Sequence, residues 1–452
     1  MSISSLFIRN MIAPLWALKE RSPYLNHLKV IEQMHQRSRE EVRRDQFTRL
    51  QRLLNHAYEQ CDFYRQRFNE AGINPEKIES LEELNSLPLL TKEDIRSSVQ
   101  RMLAKNISSE KLIKKKTSGS TGVSVELYVD DDSGQWKRAV TVAYDRWSGW
   151  DIGERVGAIW GNPECFQNWR LFLRNSVLVR HAYLDTLKMD EGTMLKYYRT
   201  LVNKRPKILF GHAHSLYLFA RFLEERGLAE IRPSGIISTC MVLHAFERET
   251  LERVFGCRVT NRYGCEEVSL IACECPAGNM HLNCDSLIVE FVRNGENVPA
   301  GEAGSVVVTD LTNFGMPFIR YKVGDVGVLS NKSSCSCGCS YPIMKSLEGR
   351  VADYVLTPDG NYISGISLTE NFALHLPGVK QMQIVQERIN QLEFKIVKGE
   401  SFNSETERDL ARLSRERFGH QMKFVISYVD TIQSEKSGKY RFCISKLPNP
   451  FS

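Results

Sequence analysis

A polar segment at residues 117–122 contains the first side chains of this sequence that could do chemistry on a phosphate. Its six residues carry hydroxyl groups or are glycines: Thr117, Ser118, Gly119, Ser120, Thr121 and Gly122. Glycines let the backbone approach a polyphosphate closely, and the hydroxyl groups donate further hydrogen bonds. The preceding lysines at 114–116 add positive potential. We predict a phosphate-binding loop, although the segment taken alone is more typical of a polar turn, and its spacing fits neither a Walker loop nor the dinucleotide fingerprint.

Two adjacent carboxylates form a second candidate site. Glu266 and Glu267 follow Tyr263 and Gly264 at the end of an apolar run that predicts a strand. Ligands collect at strand ends in α/β sheets, and a carboxylate there is an oxygen ligand suited to a hard divalent cation such as Mg²⁺. A solvated turn is the usual interpretation of such a pair when no other motif accompanies it.

The cysteines are concentrated in one part of the chain. Six of the twelve lie between positions 273 and 339, in two short groups, and His281 lies between the groups. Thiolates and imidazole are the ligands of structural zinc, and two distant short clusters are a common way for one ion to tie two loops together. A set of reduced loop cysteines without metal is the alternative.

Composition excludes some classes of function. The 452 residues are 42% hydrophobic and 25% charged, which is typical of a globular chain with two or three domains. A formal net charge of +6 spread over this length does not indicate a nucleic-acid partner, because such proteins concentrate basic residues in a patch or stripe.

The first residues predict a short amphipathic helix. Arg9 and Asn10 divide the apolar stretch at 6–18, and no small-residue cleavage site follows, so we do not predict a secretion signal. Packing on the protein's own body is the favoured role, and loose attachment to a membrane surface or a partner is the alternative. No apolar run reaches the length of a transmembrane helix. Without a secretion signal, the twelve cysteines favour a cytoplasmic location.

The periodicity of apolar residues predicts the fold class. One amphipathic helix is predicted over 50–68, and Thr91 is predicted to cap another. Strands are predicted at 123–129, 156–160, 176–178, 207–211, 235–239 and 258–263, with helices at 192–203 and 216–226 between them. This alternation indicates an α/β fold with parallel strands, followed by antiparallel strands at 286–293 and 305–311. The pattern after residue 349 indicates a small α+β unit.

The order of the motifs resembles the adenylate-forming ligases, in particular the phenylacetate–CoA ligase-like branch that includes capsular-polysaccharide biosynthesis proteins. The residues that carry the resemblance lie at 117–122, 263–267, 320–325, 349–353 and 438–441, with further similarity near 63–65, 71–73 and 87–92. The resemblance implies a large nucleotide- and acyl-binding domain at 1–349, whose first part at 1–105 is helical, and a small mobile domain at 350–452.

The resemblance also implies roles for individual residues. Phosphates of ATP would be held by the loop of Thr117, Ser118, Gly119, Ser120, Thr121 and Gly122. Tyr263, with Gly264 beside it, would stack near adenine, Asp325 would accept hydrogen bonds from the ribose, and Arg350 would lie near ribose and phosphate. Glu267 would bind Mg²⁺, and Lys439 would bridge the substrate carboxylate and the α-phosphate. Two positions depart from the pattern, because Ser124 stands where a proline is usual and Glu266 where Ser or Thr is usual. Lys436 is close enough to be confused with Lys439.

For the metal, the resemblance favours Cys275, His281, Cys335 and Cys337 as zinc ligands. Cys339 stands where the branch has an arginine, and Cys273 is either a spare cysteine or a true ligand. His212, His214 and the tryptophans at 147, 150 and 160 are candidates for a substrate pocket or for ordinary core positions.

The function implied is ATP-dependent activation of a small carboxylic acid to an acyl-adenylate, with transfer of the acyl group to a thiol of CoA or of a carrier protein's phosphopantetheine. Transfer to an amine or hydroxyl in surface-polysaccharide biosynthesis is one alternative. A non-catalytic nucleotide-binding interaction protein is the other.

Overall fold

A computed structural model describes residues 2–116, 125–160, 169–186, 189–350, 354–359, 362–364, 368, 372, 376, 378–433 and 441–447. Across these residues, a mixed sheet of twelve strands and a separate sheet of four strands form the framework. The α/β class with mixed sheets, predicted from the sequence, is confirmed.

The N-terminal region is helical. Its helices are α1 (Ile3–Phe7), α2 (Ala13–Lys19), α3 (Tyr24–Met34), α4 (Arg39–Gln60), α5 (Asp62–Glu70) and α6 (Lys92–Met102), with a π-helical turn at Ile8–Ile12 and 3₁₀ turns at Pro75–Lys77, Glu82–Ser86 and Ser109–Lys111. Helix α4 begins at Ser38, which forms a reciprocal capping box with Glu41. The single helix predicted over 50–68 is wrong, because Cys61 adopts extended backbone and divides the stripe between α4 and α5.

The middle of the chain forms a parallel half-sheet with helical crossovers. After the hairpin of β1 (Leu112–Lys116) and β2 (Glu126–Asp130), the elements are α7 (Asp131–Asp145), β3 (Val156–Ile159), α8 (Trp169–Arg174), a π-helical turn (Asn175–Val179), β4 (His181–Leu184), α9 (Glu191–Lys204), β5 (Ile208–His212), α10 (Ala213–Glu225), β6 (Gly235–Thr239), α11 (Ala245–Phe255) and β7 (Val259–Cys265). The parallel order is β4-β3-β5-β6-β7. The strand predicted at 176–178 is wrong: this segment is π-helical, and the strand begins at His181, whose backbone is held by the Asn175 side chain.

The second half of the large sheet is antiparallel. Its strands are β8 (Ser269–Glu274), β9 (Met280–Leu282), β10 (Leu287–Arg293), β11 (Glu296–Asn297), β12 (Ala303–Asp310), β13 (Tyr321–Leu329) and β14 (Ile343–Arg350). The order from the outer edge is β11-β10-β12-β13-β14-β9-β8-β7, so β7 joins the two halves. A continuous apolar core packs helices α4, α5 and α6 against this half of the sheet.

The last part of the chain has its own sheet and core. Its elements are β15 (Tyr354–Leu356), β16 (Tyr362–Ser364), β17 (Val379–Arg388), β18 (Gln391–Lys398), α12 (Ser404–Phe418), β19 (Lys423–Tyr428) and β20 (Cys443–Ser445). Four of the strands form a sheet in the order β19-β18-β17-β20, and Phe372, Phe394 and Phe418 are buried in the core beneath it. A domain boundary near 349–350, and its mobility, stay predictions. In the described part of the chain, no helix is both long and apolar enough to cross a membrane.

Candidate functional site

The parallel strands bring their carboxyl ends to one edge of the large sheet. Strand β5 ends at His212, and its neighbours β3 and β6 end close to it in register, with β7 beside β6. The ring of Trp160, which follows β3, lies 4.4 Å from the ring of His212. His214, two residues further on in the first turn of α10, instead pairs its Nδ1 with Glu247 Oε1 at 3.0 Å. Of the two candidate histidines, His212 therefore lies at the carboxyl edge of the parallel strands, where open α/β sheets usually hold their ligands.

Tyr263 and Asp325 are brought together across β7 and β13. The Tyr263 hydroxyl donates a hydrogen bond of 2.7 Å to Asp325 Oδ2. Two glycines permit this geometry: a Cβ at Gly264 would lie 2.3 Å from the backbone oxygen of Ser269, and Gly324 has φ +96°. Two residues that the resemblance assigns to adenine and ribose thus form one hydrogen-bonded unit.

Glu267 lies beside this unit in a polar cluster in which Glu267 and Tyr321 are buried and Lys92 is partly exposed. The Tyr321 hydroxyl donates a hydrogen bond of 2.9 Å to Glu267 Oε1, and Lys92 Nζ lies 3.9 Å from the same oxygen. Burial raises the pKa of Tyr321, as does the Glu267 charge, so the tyrosine stays a protonated donor. Burial and the same charge raise the pKa of the neighbouring Cys265 well above its usual value, which keeps that thiol neutral.

Lys92 reaches the cluster because the chain before α6 is joined to the sheet. Leu90 pairs with Tyr321 as a parallel bridge, and Thr91 caps α6 as predicted. Neither Lys92 nor Tyr321 was among the predicted site residues. Both lie in motifs of the resemblance, but their contacts with Glu267 join distant parts of the chain, and no local pattern marks them.

The two adjacent glutamates face different surroundings. Glu267 is buried, whereas Glu266 is exposed and accepts a hydrogen bond of 2.9 Å from Lys115 Nζ. Lys115 belongs to β1, the strand that leads into residues 117–124. The pair therefore joins the β7–β8 connection to the strand that precedes the predicted phosphate loop.

Some predicted residues cannot be placed. The loop residues Thr117, Ser118, Gly119, Ser120, Thr121 and Gly122 lie outside the described residues, as do Ser124, Lys436 and Lys439. Arg350 ends β14, and its backbone pairs with Asp325 in β13. Their roles stay predictions.

The four predicted zinc ligands form a second cluster. Cys275, His281, Cys335 and Cys337 each offer a ligand atom, and these atoms lie within 4.8 Å of one another. Cys275 Sγ is 3.6 Å from Cys335 Sγ, and Cys337 Sγ is 3.3 Å from His281 Nε2. A tetrahedral zinc site with ordinary bond lengths has ligand-to-ligand distances of about 3.5 to 3.8 Å. The donor set and its spacing fit a structural zinc ion.

The orientation of His281 suits a metal ligand. Its Nδ1 lies 2.9 Å from the backbone oxygen of Tyr341, and a carbonyl oxygen can only accept, so Nδ1 carries the proton. Nε2 is then the unprotonated nitrogen, and it faces Cys337. In proteins, the ring nitrogen of a zinc-bound histidine that does not bind the metal usually donates a hydrogen bond to an acceptor, which fixes the orientation of the imidazole.

The surrounding backbone and thiols support the same arrangement. Gly278 and Gly338 adopt positive φ (+78° and +85°) in the turns that follow Cys275 and Cys335. Although burial opposes it, hydrogen bonds from the Cys337 backbone and from neighbouring ligand side chains lower the pKa of Cys335 to about 6. One thiol is therefore already disposed to bind a cation as thiolate.

The remaining cysteines of this region lie outside the four-residue cluster. The Cys273 thiol is buried against the backbone oxygen of Glu274, at 3.9 Å. Cys284 and Cys339 pack in an apolar cluster with Val42 and Tyr341. The structure therefore supports the four predicted ligands rather than Cys273. The tryptophans that were candidates for a substrate pocket lie in different places. The ring of Trp147 lies 5.9 Å from the ring of His281, and Trp150 packs against the core.

Comparison with known proteins places these clusters in a family context. Residues 355–446 match the family described as CapK C-terminal domain. The chain is 24% identical over 404 residues to Protein CapK of Staphylococcus aureus, covering 88% of each chain. It is 27% identical over 389 residues to a phenylacetate-coenzyme A ligase of Thermus thermophilus, covering 80% of this chain and 83% of that one.

Among solved structures, 2-hydroxyisobutyryl-CoA ligase in the postadenylation state, in complex with R3-HIB-AMP, superposes with a TM-score of 0.74 at 18% identity, covering 92% of each chain. The chain has the fold of an acyl-CoA ligase. The same enzyme in its thioesterification state, with 2-HIB-AMP and CoA, gives a TM-score of 0.62 at 19% identity, covering 92% of this chain and 91% of that one. The resemblance to adenylate-forming ligases is thus confirmed, and CapK and phenylacetate–CoA ligases are sequence relatives of this acyl-CoA-ligase-like chain.

Proposed function

We propose that this protein activates a small carboxylic acid with ATP, forms an acyl-adenylate with release of pyrophosphate, and transfers the acyl group to a thiol. The observation that carries this proposal is the joint placement of Tyr263 near the end of β7, Glu267 just after that strand and Asp325 within β13, inside the fold of an acyl-CoA ligase.

In the first half-reaction, a carboxylate oxygen attacks the α-phosphorus of ATP, and the bond from that phosphorus to pyrophosphate breaks. Because both reactants are anions, the site must supply positive charge and preorganised donors. Lys92 and Lys115 already lie beside the two glutamates. The loop at 117–122, Arg350 and Lys439 would add the remaining donors, with Lys439 between the carboxylate and the α-phosphate.

The nucleotide would be held from the β7–β13 side. Tyr263, which is buried except for a small exposed fraction of 8%, offers the edge of an aromatic ring for the adenine, and Asp325 offers carboxylate oxygens for the ribose hydroxyls. Glu267 fits a role as Mg²⁺ ligand, because it is a buried carboxylate with only one cation, Lys92, nearby among the described residues. Bound Mg²⁺ would neutralise phosphate charge during the displacement.

The second half-reaction requires a thiol. Its sulfur attacks the acyl carbon, and AMP leaves with the mixed-anhydride oxygen. CoA is the acceptor we favour, since 2-hydroxyisobutyryl-CoA ligase was solved with CoA and several sequence relatives are named as coenzyme A ligases. The phosphopantetheine arm of an acyl carrier protein would present the same chemical group. A small C-terminal domain at 350–452 that rotates between the half-reactions would serve both steps.

A second candidate acceptor is an amine or hydroxyl in surface-polysaccharide biosynthesis. The observation that favours it is the match of residues 355–446 to the CapK C-terminal domain, together with similarity to Protein CapK over 88% of the chain. The rival without catalysis, a nucleotide-binding interaction protein, is weakened because Glu267 keeps a buried hydrogen-bonded setting and Asp325 keeps Tyr263 as a partner.

The Cys/His cluster would hold one zinc ion with a structural role, because four protein ligands close the coordination shell and leave no position for a substrate. We also retain a cytoplasmic location as a proposal, since ATP and CoA are cytoplasmic metabolites.

Exchange of labelled pyrophosphate into ATP, measured with a panel of aryl, fatty, amino and sugar acids, tests the proposal. We expect exchange only with a cognate acid, and we expect Lys439→Ala to abolish it while ATP binding persists. Lys436→Ala is the matched control, and a loss confined to that variant would move the role by three residues. Silence across the panel would favour the non-catalytic rival. CoA, pantetheine, an amino sugar and a neutral sugar, offered with the cognate acid, distinguish the acceptors by product mass.

A further inference from the structure

The N-terminal helical segment is apolar on two opposite faces. Its inner face is buried on the body of the protein through Ser5, Ile8, Ala13 and Ala17. Six large apolar side chains of the same segment are exposed, by between 42% and 88%: Ile3, Leu6, Phe7, Met11, Leu15 and Leu18. The predicted packing on the protein's own body therefore accounts for only one face. An amphipathic surface helix would carry polar residues on the other.

A π-helical turn aligns the exposed residues. The N–H of Ala13 donates to the backbone oxygen of Ile8, five residues earlier, so Ile8–Ile12 contains one residue more than an α-helical turn. The extra residue turns α2 by roughly 100° relative to an unbroken helix. Leu15 and Leu18 consequently come onto the face that carries Ile3 and Phe7, opposite the buried residues.

A second helical segment extends this exposed face. Helix α8 and the π-helical turn after it expose Trp169, Phe172, Leu173 and Val177. The two segments lie together, because Ile8 and Leu178 share one buried cluster. We call these ten exposed side chains the N-terminal apolar surface.

Arg180 fastens the second segment to the first. Its guanidinium donates to the backbone oxygen of Gly153 at 2.7 Å and lies 3.4 Å from the Ser5 hydroxyl and 3.5 Å from the Ser4 hydroxyl. The N-terminal apolar surface is therefore built from two elements that are held in contact.

Positive charge is concentrated around the N-terminal apolar surface. Residues 2–21 contain three basic side chains and one acidic, and residues 169–180 contain three basic and none acidic. These 32 residues thus carry five of the chain's six net positive charges. Arg9 forms an ion pair with Asp151 at 2.7 Å. Elsewhere the chain is close to neutral.

We propose that the N-terminal apolar surface docks onto an anionic phospholipid membrane, with the helices lying in the plane of the interface. The apolar side chains would enter the headgroup–acyl boundary, with Trp16 and Trp169 near its polar side, while the exposed side chains of Lys19 and Arg21 contact lipid phosphates. A second copy of this chain fits less well, because a symmetric contact would place the same basic residues against each other. The inference does not depend on the proposed catalytic function.

Co-sedimentation of the full chain with vesicles tests the proposal. We expect at least about tenfold stronger binding to vesicles of phosphatidylcholine with phosphatidylglycerol than to phosphatidylcholine alone, with binding weakened by added salt. Leu15→Ser with Leu18→Ser should weaken binding about tenfold, and Lys19→Glu several-fold, without lowering the melting temperature. Ile389→Ser with Val425→Ser removes two exposed apolar side chains elsewhere, each 47% exposed, and should bind like the parent chain.

Three outcomes would overturn the proposal. The first is equal binding to both vesicles or to neither, and the second is parent-like binding of the Leu15 and Leu18 variant. The third is a parent chain that sediments as a dimer and becomes a monomer in that variant, which would assign the N-terminal apolar surface to a second copy.

Discussion

The carboxylate cluster and the Cys/His cluster lie at opposite ends of one strand, β8. Glu267 lies in the turn before the strand and Cys275 follows it, and the five residue steps of β8 itself span about 17 Å. At the first end, buried carboxylate, hydroxyl and ammonium groups meet at strand ends, with a predicted phosphate loop nearby. At the second end, thiols and one imidazole meet in two glycine turns. We propose that the first end binds and polarises a substrate and that the second cross-links loops, so activity and stability should respond separately to substitutions.

Glu267→Gln should have the largest effect on activity. It keeps the size of the side chain and removes the charge that a divalent cation would need, so pyrophosphate exchange should fall about 100-fold or more, with little change in melting temperature. Glu266→Gln is the matched control and should retain exchange within about threefold, because this exposed carboxylate pairs only with Lys115 among the described residues. The reverse pattern would assign the catalytic role to Glu266.

Loss of the metal should lower stability and leave activity nearly unchanged. Elemental analysis should find about one zinc per chain, and Cys337→Ser should lower that content and reduce the melting temperature by at least about 5 °C. Pyrophosphate exchange, measured at a temperature at which the variant stays folded, should be nearly unchanged. Cys339→Ser should keep its zinc. If Cys337→Ser stays folded but no longer binds ATP, the two ends of β8 are not independent.

Tyr263→Phe should have a smaller effect that is confined to nucleotide binding. The substitution removes the 2.7 Å hydrogen bond to Asp325 and leaves the aromatic ring, so KM for ATP should rise about three- to tenfold with kcat little changed. Steady-state kinetics with the cognate acid at saturation will separate the two parameters. An equal fall in kcat would place Tyr263 in the chemical step.

Lys92→Met should have the smallest effect, and its sign is informative. Lys92 Nζ lies 3.9 Å from Oε1 of Glu267, the carboxylate that we propose as the Mg²⁺ ligand. Because Lys92 is partly exposed, solvent screens the attraction between the two charges. Removing this competing charge should lower the Mg²⁺ concentration for half-maximal exchange about twofold. A higher requirement would instead make Lys92 a phosphate contact.

The sequence predicted the local features of the two regions better than their contacts. Four parallel strands, at 156–160, 207–211, 235–239 and 258–263, and the Thr91 cap were predicted correctly because periodicity and capping are local. The strand predicted at 123–129 corresponds to β2, which instead pairs antiparallel with β1. The four metal-binding candidates were identified because few residue types bind zinc and they occur in short turns. By contrast, the Tyr321–Glu267 contact and the Tyr341 carbonyl that orients His281 depend on how distant strands pair, and no local pattern predicts either.

Two further differences have physical causes. The strand at 176–178 was predicted from a short apolar run. A run of this length occurs both in strands and in helical turns, so it does not distinguish the two. Arg320 lies in a motif that resembles a nucleotide site, yet it is buried and donates to the backbone oxygens of Asn85 and Leu87 while pairing with Glu290. Its role is to fasten the N-terminal helical region to the sheet, which sequence order alone did not indicate.

The most direct test of the central claim follows oxygen from the acid into AMP. The cognate acid, labelled with ¹⁸O in its carboxylate, is incubated with ATP, Mg²⁺ and the acceptor, and the nucleotide product is analysed by mass spectrometry. Attack of the carboxylate on the α-phosphorus predicts AMP that carries one labelled oxygen atom per turnover. Unlabelled AMP, or ADP with label in inorganic phosphate, would contradict activation through an acyl-adenylate.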